Sequence, residues 1–335
     1  MRVSFEEMKS EFKRILIKKG FSEERAETSA QLFTETSCDG VYSHGYVRFP
    51  RVIEYIDKGL IDVNAVPTKV EGMGAFEKWD GNIGMGNLNA KFCMDRTIEL
   101  AKTNTIGCIA LKNTNHWMRG GSYGWQAADA GCIGICWTNT FTNMPAWGAK
   151  DSRIGNNPLI LSVPREGGHH VVVDLAMAQF SYGKIEVTKL NNEQLPIPGG
   201  YDSKGNITTD PGEIEKTGRV LPIGYWKGSG LSILLDLIAT VLSGGNSVTK
   251  IGKIDGSSEY QLSQIFIAID AEKIAGNEFL KSAVNEVLND VKASERVDEN
   301  NEIFYPGERT LNTRERNLEQ GIPVDEDVWG KIKNM

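Results

Sequence analysis

The chain has little of what marks several large classes of protein. Its 335 residues include only five cysteines, Cys38, Cys93, Cys108, Cys132 and Cys136, scattered and without a C-x-x-C pair. An odd, dispersed set of this kind argues against a disulfide framework, a zinc ribbon or a thioredoxin-like redox pair. Their apolar neighbours predict reduced, mostly buried thiols of a cytosolic protein. No apolar run reaches the roughly 18 residues that span a bilayer. Residues 1–7 are charged and amphipathic, which predicts no secretory signal; the sequon Asn206-Ile207-Thr208 then carries no expectation of a glycan. Positive charge is also short: the net charge is -7, which argues against a general nucleic-acid binder. There is no Walker loop, no H-E-x-x-H, no internal repeat and no low-complexity tract. Histidine is scarce, with four in all, so each one within a polar motif is informative.

What is present describes an ordinary globular protein, 40% hydrophobic and 24% charged. The length exceeds a usual single core and predicts two or three domains. Ser4-x-x-Glu7 has the form of a capping box. Phe5, Met8, Phe12, Ile15 and Leu16 then recur at helical spacing until Gly20. Ser22, with Glu23 and Glu24, starts a second helix that ends near Asp39-Gly40. A third is expected over about 47–59, with Pro50 tolerated in its first turn. From about residue 66, short β-rich runs alternate with helices. Strands are expected at 106–111, 133–139, 159–163, 171–174 and 261–269, and helices at 87–102, 122–130 and 229–242. The last carries Leu231, Leu234, Leu235, Ile238 and Leu242 and is expected to be central. Residues 190–220 read as a long functional loop. Helices return at 311–320 and 325–333.

The motif Val41-Tyr42-Ser43-His44-Gly45-Tyr46-Val47-Arg48 sits between the second and third helices. On one helical face, residues four apart are neighbours. His44 titrates near neutral pH, and Arg48 can grip a carboxylate with two prongs. These are two of the three parts needed to reduce a 2-oxo acid; the third, a hydride donor, must come from a cofactor. A capped His and a surface Arg would show the same spacing. Ser43 beside His44 raises a hydrolase, but adjacent residues cannot easily present nucleophile and base to each other, and no G-x-S-x-G surrounds them. Gly81-x-x-Gly84-x-Gly86 has the wrong order for a Rossmann fingerprint and reads as a turn before a helix. Asn113 to Gly121 places His116 in a polar, glycine-rich turn after a strand, either a site or a satisfied loop. His169-His170-Val171-Val172-Val173-Asp174 ends a strand with an acid that can orient a His or satisfy local backbone. Its i, i+1, i+5 spacing does not converge on a metal. Lys227, in Trp226-Lys227-Gly228-Ser229-Gly230, is either a cation poised for phosphate or carboxylate or a solvated lysine.

Together, Y-S-H-G-x-x-R, N-x-N-H-W, W-T-N-T, P-A-W-G-A-K (145–150), I-G-N-N-P-L (154–159), V-D-L-A, Y-W-K-G-S-G and P-G-E-R (306–309) resemble the malate/L-lactate dehydrogenase family. This is the sulfolactate-dehydrogenase-like group that lacks a Rossmann fold. The motifs run in order over nearly the whole chain. The resemblance implies an α/β fold with a largely antiparallel cofactor-binding sheet and a helical domain formed by both termini. The division it implies is 1–65 with 305–335 on the substrate side, 66–119 with 291–304 as a small α/β domain, and 120–290 as the cofactor-binding domain. It implies a homodimer, NADH as cofactor with NADPH as the alternative, and a small 2-oxo acid as substrate. His44 would donate the proton and Asp174 would charge-stabilise it. Arg48 and His116 would lie at the substrate. His170, Val171, Val172, Val173, Asp174, Leu175, Ala176, Trp226, Lys227, Gly307, Glu308 and Arg309 would contact the cofactor. Met177-Ala178 replaces the Thr-Ser that many members carry, which removes two hydroxyls. The activity implied is NADH-dependent reduction of the C2 carbonyl of a sugar-derived 2-oxo acid; malate, lactate or ureidoglycolate dehydrogenases share the scaffold. A sugar-acid binding protein without catalysis would not need His44 and Arg48 intact.

Overall fold

The computed structural model describes residues 1–254 and 259–335. The chain opens with a two-residue strand, β1 (Arg2–Val3), and three helices, α1 (Phe5–Lys18), α2 (Glu23–Cys38) and α3 (Phe49–Asp57). A hairpin follows, β2 (Thr68–Met73) and β3 (Phe76–Asp80), then α4 (Gly86–Asn104), β4 (Ile106–Thr114), α5 (Gly121–Asp129) and β5 (Cys132–Thr138). Next come β6 (Leu159–Val163), β7 (Val171–Leu175), α6 (Tyr182–Leu190), α7 (Trp226–Ser243) and β8 (Leu262–Asp270). The chain closes with α8 (Asn277–Lys292), α9 (Glu308–Gln320), the short β9 (Ile322–Pro323) and α10 (Glu326–Lys333).

Local chemistry sets the first boundaries. Ser4 Oγ accepts from Glu7 N–H at 3.1 Å and Ser22 Oγ from Arg25 N–H at 3.4 Å, capping α1 and α2 as their sequences predict. Gly20 ends the first at φ +97°. Phe12 stacks on Phe49 at 4.3 Å, while Phe33 meets Phe49 edge-on at 5.1 Å and Trp329 of α10 meets Phe12 at 6.3 Å. Each such ring, fully buried, contributes roughly 1.5–3 kcal/mol. Val3, Met8, Ile322, Trp329 and Ile332 belong to one core, so the N-terminal helices are completed by residues from the far end of the chain. β1 and β9 pair antiparallel in the same layer.

Seven strands form one sheet in the order β2-β3-β4-β8-β5-β6-β7. Every neighbouring pair is antiparallel except β3–β4. The largely antiparallel α/β architecture expected from the motifs is therefore present. Alternation divides its two faces. Ile109, Leu111, Phe266 and Ala268 pack with residues of α4 and α5, and Ala110, Ile265 and Trp137 with Leu235 and Ala239 of α7. All five cysteines are free thiols, four of them buried.

The expectation that α7 is central needs correction. Its buried residues are mostly small, Gly228, Ser229, Ser232, Ala239 and Ser243 with Leu235. Leu234, Leu237 and Val241 are 55%, 52% and 73% exposed. The small-residue face lets the helix lie close to the sheet, and the large side chains are left outside. Among the described helices α7 alone is long and apolar enough to span a membrane, with a mean hydropathy of 1.2. Its other face packs against the sheet. The hairpin β2–β3, α6 and α8 were not expected, and the 190–220 loop holds a short helix, Pro211–Thr217.

Candidate active site

His44 ends a single 3-10 turn, Tyr42–His44, and Arg48 is the N-cap of α3. They do not share one continuous helix face, because Gly45 breaks the path at φ -99°, ψ -124°. A side chain at Gly45 would lie 2.2 Å from Ser37 Oγ. Its absence lets the turn seat on α2, where Ser37 Oγ accepts Tyr46 N–H at 2.9 Å. His44 Nδ1 lies 3.0 Å from Ser43 Oγ. Adjacent residues do meet here, contrary to the expectation from sequence, and Nε2 is left for other chemistry.

The His116 ring stacks on His44 with centroids 5.6 Å apart. Met118 N–H donates to His116 Nδ1 at 3.0 Å, so a neutral ring carries its proton on Nε2. Burial pushes the His116 pKa down to about 3. The loop that holds it is strained, with Asn113 at φ +53° and Met118 at φ +66°. Asn115 anchors it by donating to the carbonyls of Leu60, Ile83 and Gly84. Gly86 is a contact glycine and not part of a phosphate loop: a Cβ there would sit 2.1 Å from His116 O. The Gly81–Gly86 segment thus serves the site by letting α4 press against this loop.

Arg48 is ion-paired with Glu259, a buried carboxylate on the segment leading into β8. Burial raises the Glu259 carboxyl, but His116 and the guanidinium of Arg48 pull it down to about 2. Asp174, near the end of β7, accepts from Gly121 N–H at 2.7 Å at the start of α5, where the helix N-terminus favours negative charge. Burial lowers the His44 pKa; the charge of Asp174 opposes this and that of Arg48 adds to it. Asp174 thus acts on His44 in the direction expected, yet burial outweighs it.

The predicted cofactor residues gather along the outer edge of the sheet. Val171, Val172, Val173, Asp174 and Leu175 are β7 itself, with His170 before it and Ala176 after it. Val172 N–H donates to Pro306 O at 2.9 Å, which brings Gly307 alongside. Gly307 sits at φ +97°, and a Cβ there would lie 3.1 Å from His170 O and 3.2 Å from Val172 N. Ile223 N–H donates to Met177 O at 2.8 Å, placing the turn before Trp226 and Lys227 beyond the other end of β7. Tyr225 there has φ +60° and ψ -111°, a strained combination for a non-glycine residue. Lys227 Nζ stands 5.7 Å over the Trp226 ring. Met177 is fully buried in a core.

Some predicted residues are already engaged. His170 Nδ1 accepts Arg165 N–H at 2.9 Å, and its Nε2 lies 2.8 Å from Asp129 Oδ1. Glu308 Oε2 pairs with Lys292 at 2.6 Å and accepts Tyr305 N–H at 3.1 Å. The Arg309 guanidinium lies 4.6 Å over Phe304. Sequence reasoning did not find Glu259, the Gly121 amide or the buried Asp39–Arg119 pair, which Arg314 extends with two contacts of 2.6 and 2.8 Å. No local pattern marks Glu259; an acid in a polar segment before an apolar strand has too many ordinary uses.

The fold thus brings His44, stacked on a neutral His116, within electrostatic reach of Arg48, which is paired with Glu259. Gly307 lies against the edge strand β7. The chain matches the Malate/L-lactate dehydrogenase family over residues 3–333. It is 49% identical over 333 residues to a 2,3-diketo-L-gulonate reductase of Escherichia coli O127:H6 (strain E2348/69 / EPEC), covering 99% of both chains. Its fold superposes on sulfolactate dehydrogenase from Methanocaldococcus jannaschii with TM-score 0.91 and 30% identity, over 100% of this chain and 96% of that one. Malate dehydrogenase from Entamoeba histolytica gives TM-score 0.93 and 26% identity, again over 100% and 96%. The protein is therefore an oxidoreductase, and it belongs to the malate/L-lactate dehydrogenase family.

Proposed function

We propose that this protein reduces the C2 carbonyl of a sugar-derived 2-oxo acid, 2,3-diketo-L-gulonate to 3-dehydro-L-gulonate, with NADH. The observation that carries the chemistry is His44 stacked on a neutral His116, with Arg48 within its electrostatic reach. The likeness to the E. coli reductase supports the substrate. The edge strand β7 with Gly307 packed against it, and the turn with Lys227, would hold the nicotinamide cofactor. When bound, the reduced nicotinamide supplies a hydride to C2, and the carbonyl π pair moves to oxygen. His44 Nε2 delivers the proton that makes the hydroxyl. His116 Nε2–H donates to the same oxygen or to its neighbour. Arg48 holds the carboxylate. Positioning the ketone between these groups supplies much of the rate. NADH over NADPH rests on the carboxylate of Glu308, which would repel a 2′-phosphate; a higher kcat/KM with NADPH would overturn that choice.

The same reading takes residues 1–65 with 305–335 as the substrate side and 120–290 as the cofactor side. It takes the protein as cytosolic and as a homodimer in which the exposed Leu234, Leu237 and Val241 of α7 are covered by the second copy.

The test is His44→Asn, which keeps size and polarity but cannot give up a proton at neutral pH. A positioned general acid contributes roughly 10²–10⁴ in rate. We expect kcat to fall by that much while NADH binding, read by fluorescence, is unchanged. Because burial lowers the His44 pKa, the free enzyme holds the ring neutral at pH 7. Reduction, which needs the acid form, should lose kcat/KM as pH rises through a pKa below 6.5. Oxidation, which needs the base form, should gain over the same window and then level off. Retention of more than about a tenth of kcat in His44→Asn, with chemistry rate-limiting, would move the proton-donor role elsewhere.

A further inference from the structure

Glu259 is 8% exposed, yet it remains an ion. Its carboxylate pairs with the Arg48 guanidinium, and its backbone N–H donates to Tyr55 Oη at 3.4 Å. Tyr55 Oη in turn accepts from Arg51 Nη2 at 3.0 Å. The cations whose charges act on Glu259 are Arg48 and Arg51, and Glu259 acts in turn on His44. Leaving a carboxylate this deep costs desolvation, which only good pairing offsets. Arg48 without Glu259 would make this site strongly attractive to any polyanion. With Glu259 in place, one edge of its fork is taken, and the fork has room for one more carboxylate.

We propose that Glu259 is a specificity-determining residue that restricts the site around Arg48 to 2-oxo acids with a single carboxylate. The inference rests on the assignment of Arg48 to the substrate carboxylate. The first carboxylate of a substrate meets the remaining N–H groups of Arg48. A second carboxylate on the same small molecule would face Glu259 in a poorly solvated site, where like charges are costly. Hydroxyls in its place can donate to Glu259 and satisfy its lone pairs. The buried acid thus discriminates by repulsion as well as by attraction. It selects a polyhydroxylated monocarboxylate over a dicarboxylate such as oxaloacetate.

The experiment compares kcat/KM for oxaloacetate and for 2,3-diketo-L-gulonate in the wild type and in Glu259→Gln. Glutamine keeps the size and one acceptor for Arg48 but removes the charge. The ratio of oxaloacetate to diketogulonate should rise about tenfold or more, chiefly through a lower KM for oxaloacetate. Glu259→Asp, which keeps the charge, should retain most of the discrimination; a role in shape alone would make the two variants alike. A second measurement does not need turnover or a stable variant. Calorimetry on the wild-type protein with NADH should show glycolate binding about tenfold more tightly than tartronate, which is glycolate with one added carboxylate. A ratio unchanged within about twofold in a folded Glu259→Gln, or tartronate binding as tightly as glycolate, overturns the proposal. Failure to reduce either ketone with the glycolate preference intact would instead remove the substrate reading and leave Glu259 in its role.

Discussion

Gly121→Ala separates the stability of the fold from the poise of the acid. Gly121 opens α5, and its N–H donates to Asp174 Oδ2 at 2.7 Å. It is not among the positive-φ glycines, so alanine adopts its backbone without strain. The new Cβ would, however, lie 2.9 Å from Asp174 Oδ2 and 3.4 Å from Asp174 Cβ. The first contact is closer than side-chain carbons tolerate, so the carboxylate must move and its bond to the amide lengthens. A hydrogen bond to a charged group is worth about 1.5–3 kcal/mol, and alanine returns nearly 1 kcal/mol of helix propensity. The net loss is on the order of 1 kcal/mol, a fall in Tm of roughly 2–4 °C. The functional effect should be larger. Asp174 comes before Glu259 among the charges that pull the His44 pKa upward against burial, so displacing it makes the acid form scarcer. We expect kcat/KM for reduction at pH 7.5 to fall tenfold or more, toward the ~10² that a 1 Å misplacement can cost. The falling limb of the pH profile should move to lower pH. Rates measured by loss of NADH absorbance across pH 5–9, beside a melting curve, would show both effects. An unchanged limb in a variant with the expected Tm would refute the coupling of Asp174 to His44.

Three further outcomes follow from the geometry. Glu77 is 2% exposed and is bonded to Arg96, Lys69 and the Trp79 indole, and Arg96 first among these, against burial, pulls its pKa down to about 2; Glu77→Gln should cost roughly 2–3 kcal/mol by urea titration at neutral pH. The sign follows from the depressed pKa: the contribution is complete above the unfolded value of about 4.5 and is lost as pH falls toward 2, so the gap between wild type and variant should close in acid. Gly307→Ala should weaken NADH binding at least tenfold by fluorescence titration with kcat at saturating NADH little changed, because at φ +97° a Cβ only 3.1 and 3.2 Å from His170 O and Val172 N would push this segment off β7; equal affinity would take the cofactor off this edge. Val241→Glu on the exposed face of α7 should shift light-scattering mass from about twice 37.0 kDa toward 37.0 kDa; a wild type already monomeric and fully active would end the dimer reading.

Periodicity made much of this fold legible, and the physical reasons for the rest are specific. α1 and α2 declare themselves through Ser4 and Ser22 and through apolar faces that do bury Met8, Phe12, Ile15 and Phe33. β7 is a β-branched run at the sheet edge, and β6 and β8 are apolar runs that fit its interior. β2 was not visible because every one of its residues is exposed, which leaves no alternation to read. α7 was visible as a helix, but its orientation was misread. A helix whose small residues pack inward inverts the rule that the apolar stripe faces the core. The motifs that carry His44, Arg48, His116 and Asp174 lie on separate elements, and the fold brings them within electrostatic reach of one another. The reason for the nearness of His44 and Arg48 was not the helical face but the turn at Gly45. Glu259 lay beyond reach because its meaning comes from an arginine 211 residues away.

The layer beneath His44 is closed by Ile322, Trp329 and Ile332, and this sets an order of events in biosynthesis. The aromatic cluster of Phe12, Phe33 and Phe49 emerges early but lacks its lid until the Trp329 segment is made. At about 5–20 residues per second, that wait lasts roughly 15–60 s. During it the His44 turn has no finished floor, and apolar rings stay open to water and to neighbouring nascent chains. Contacts of such long sequence separation also slow the final collapse. Production of active protein should therefore depend on chaperone supply and growth temperature more than the stability of the mature fold would indicate.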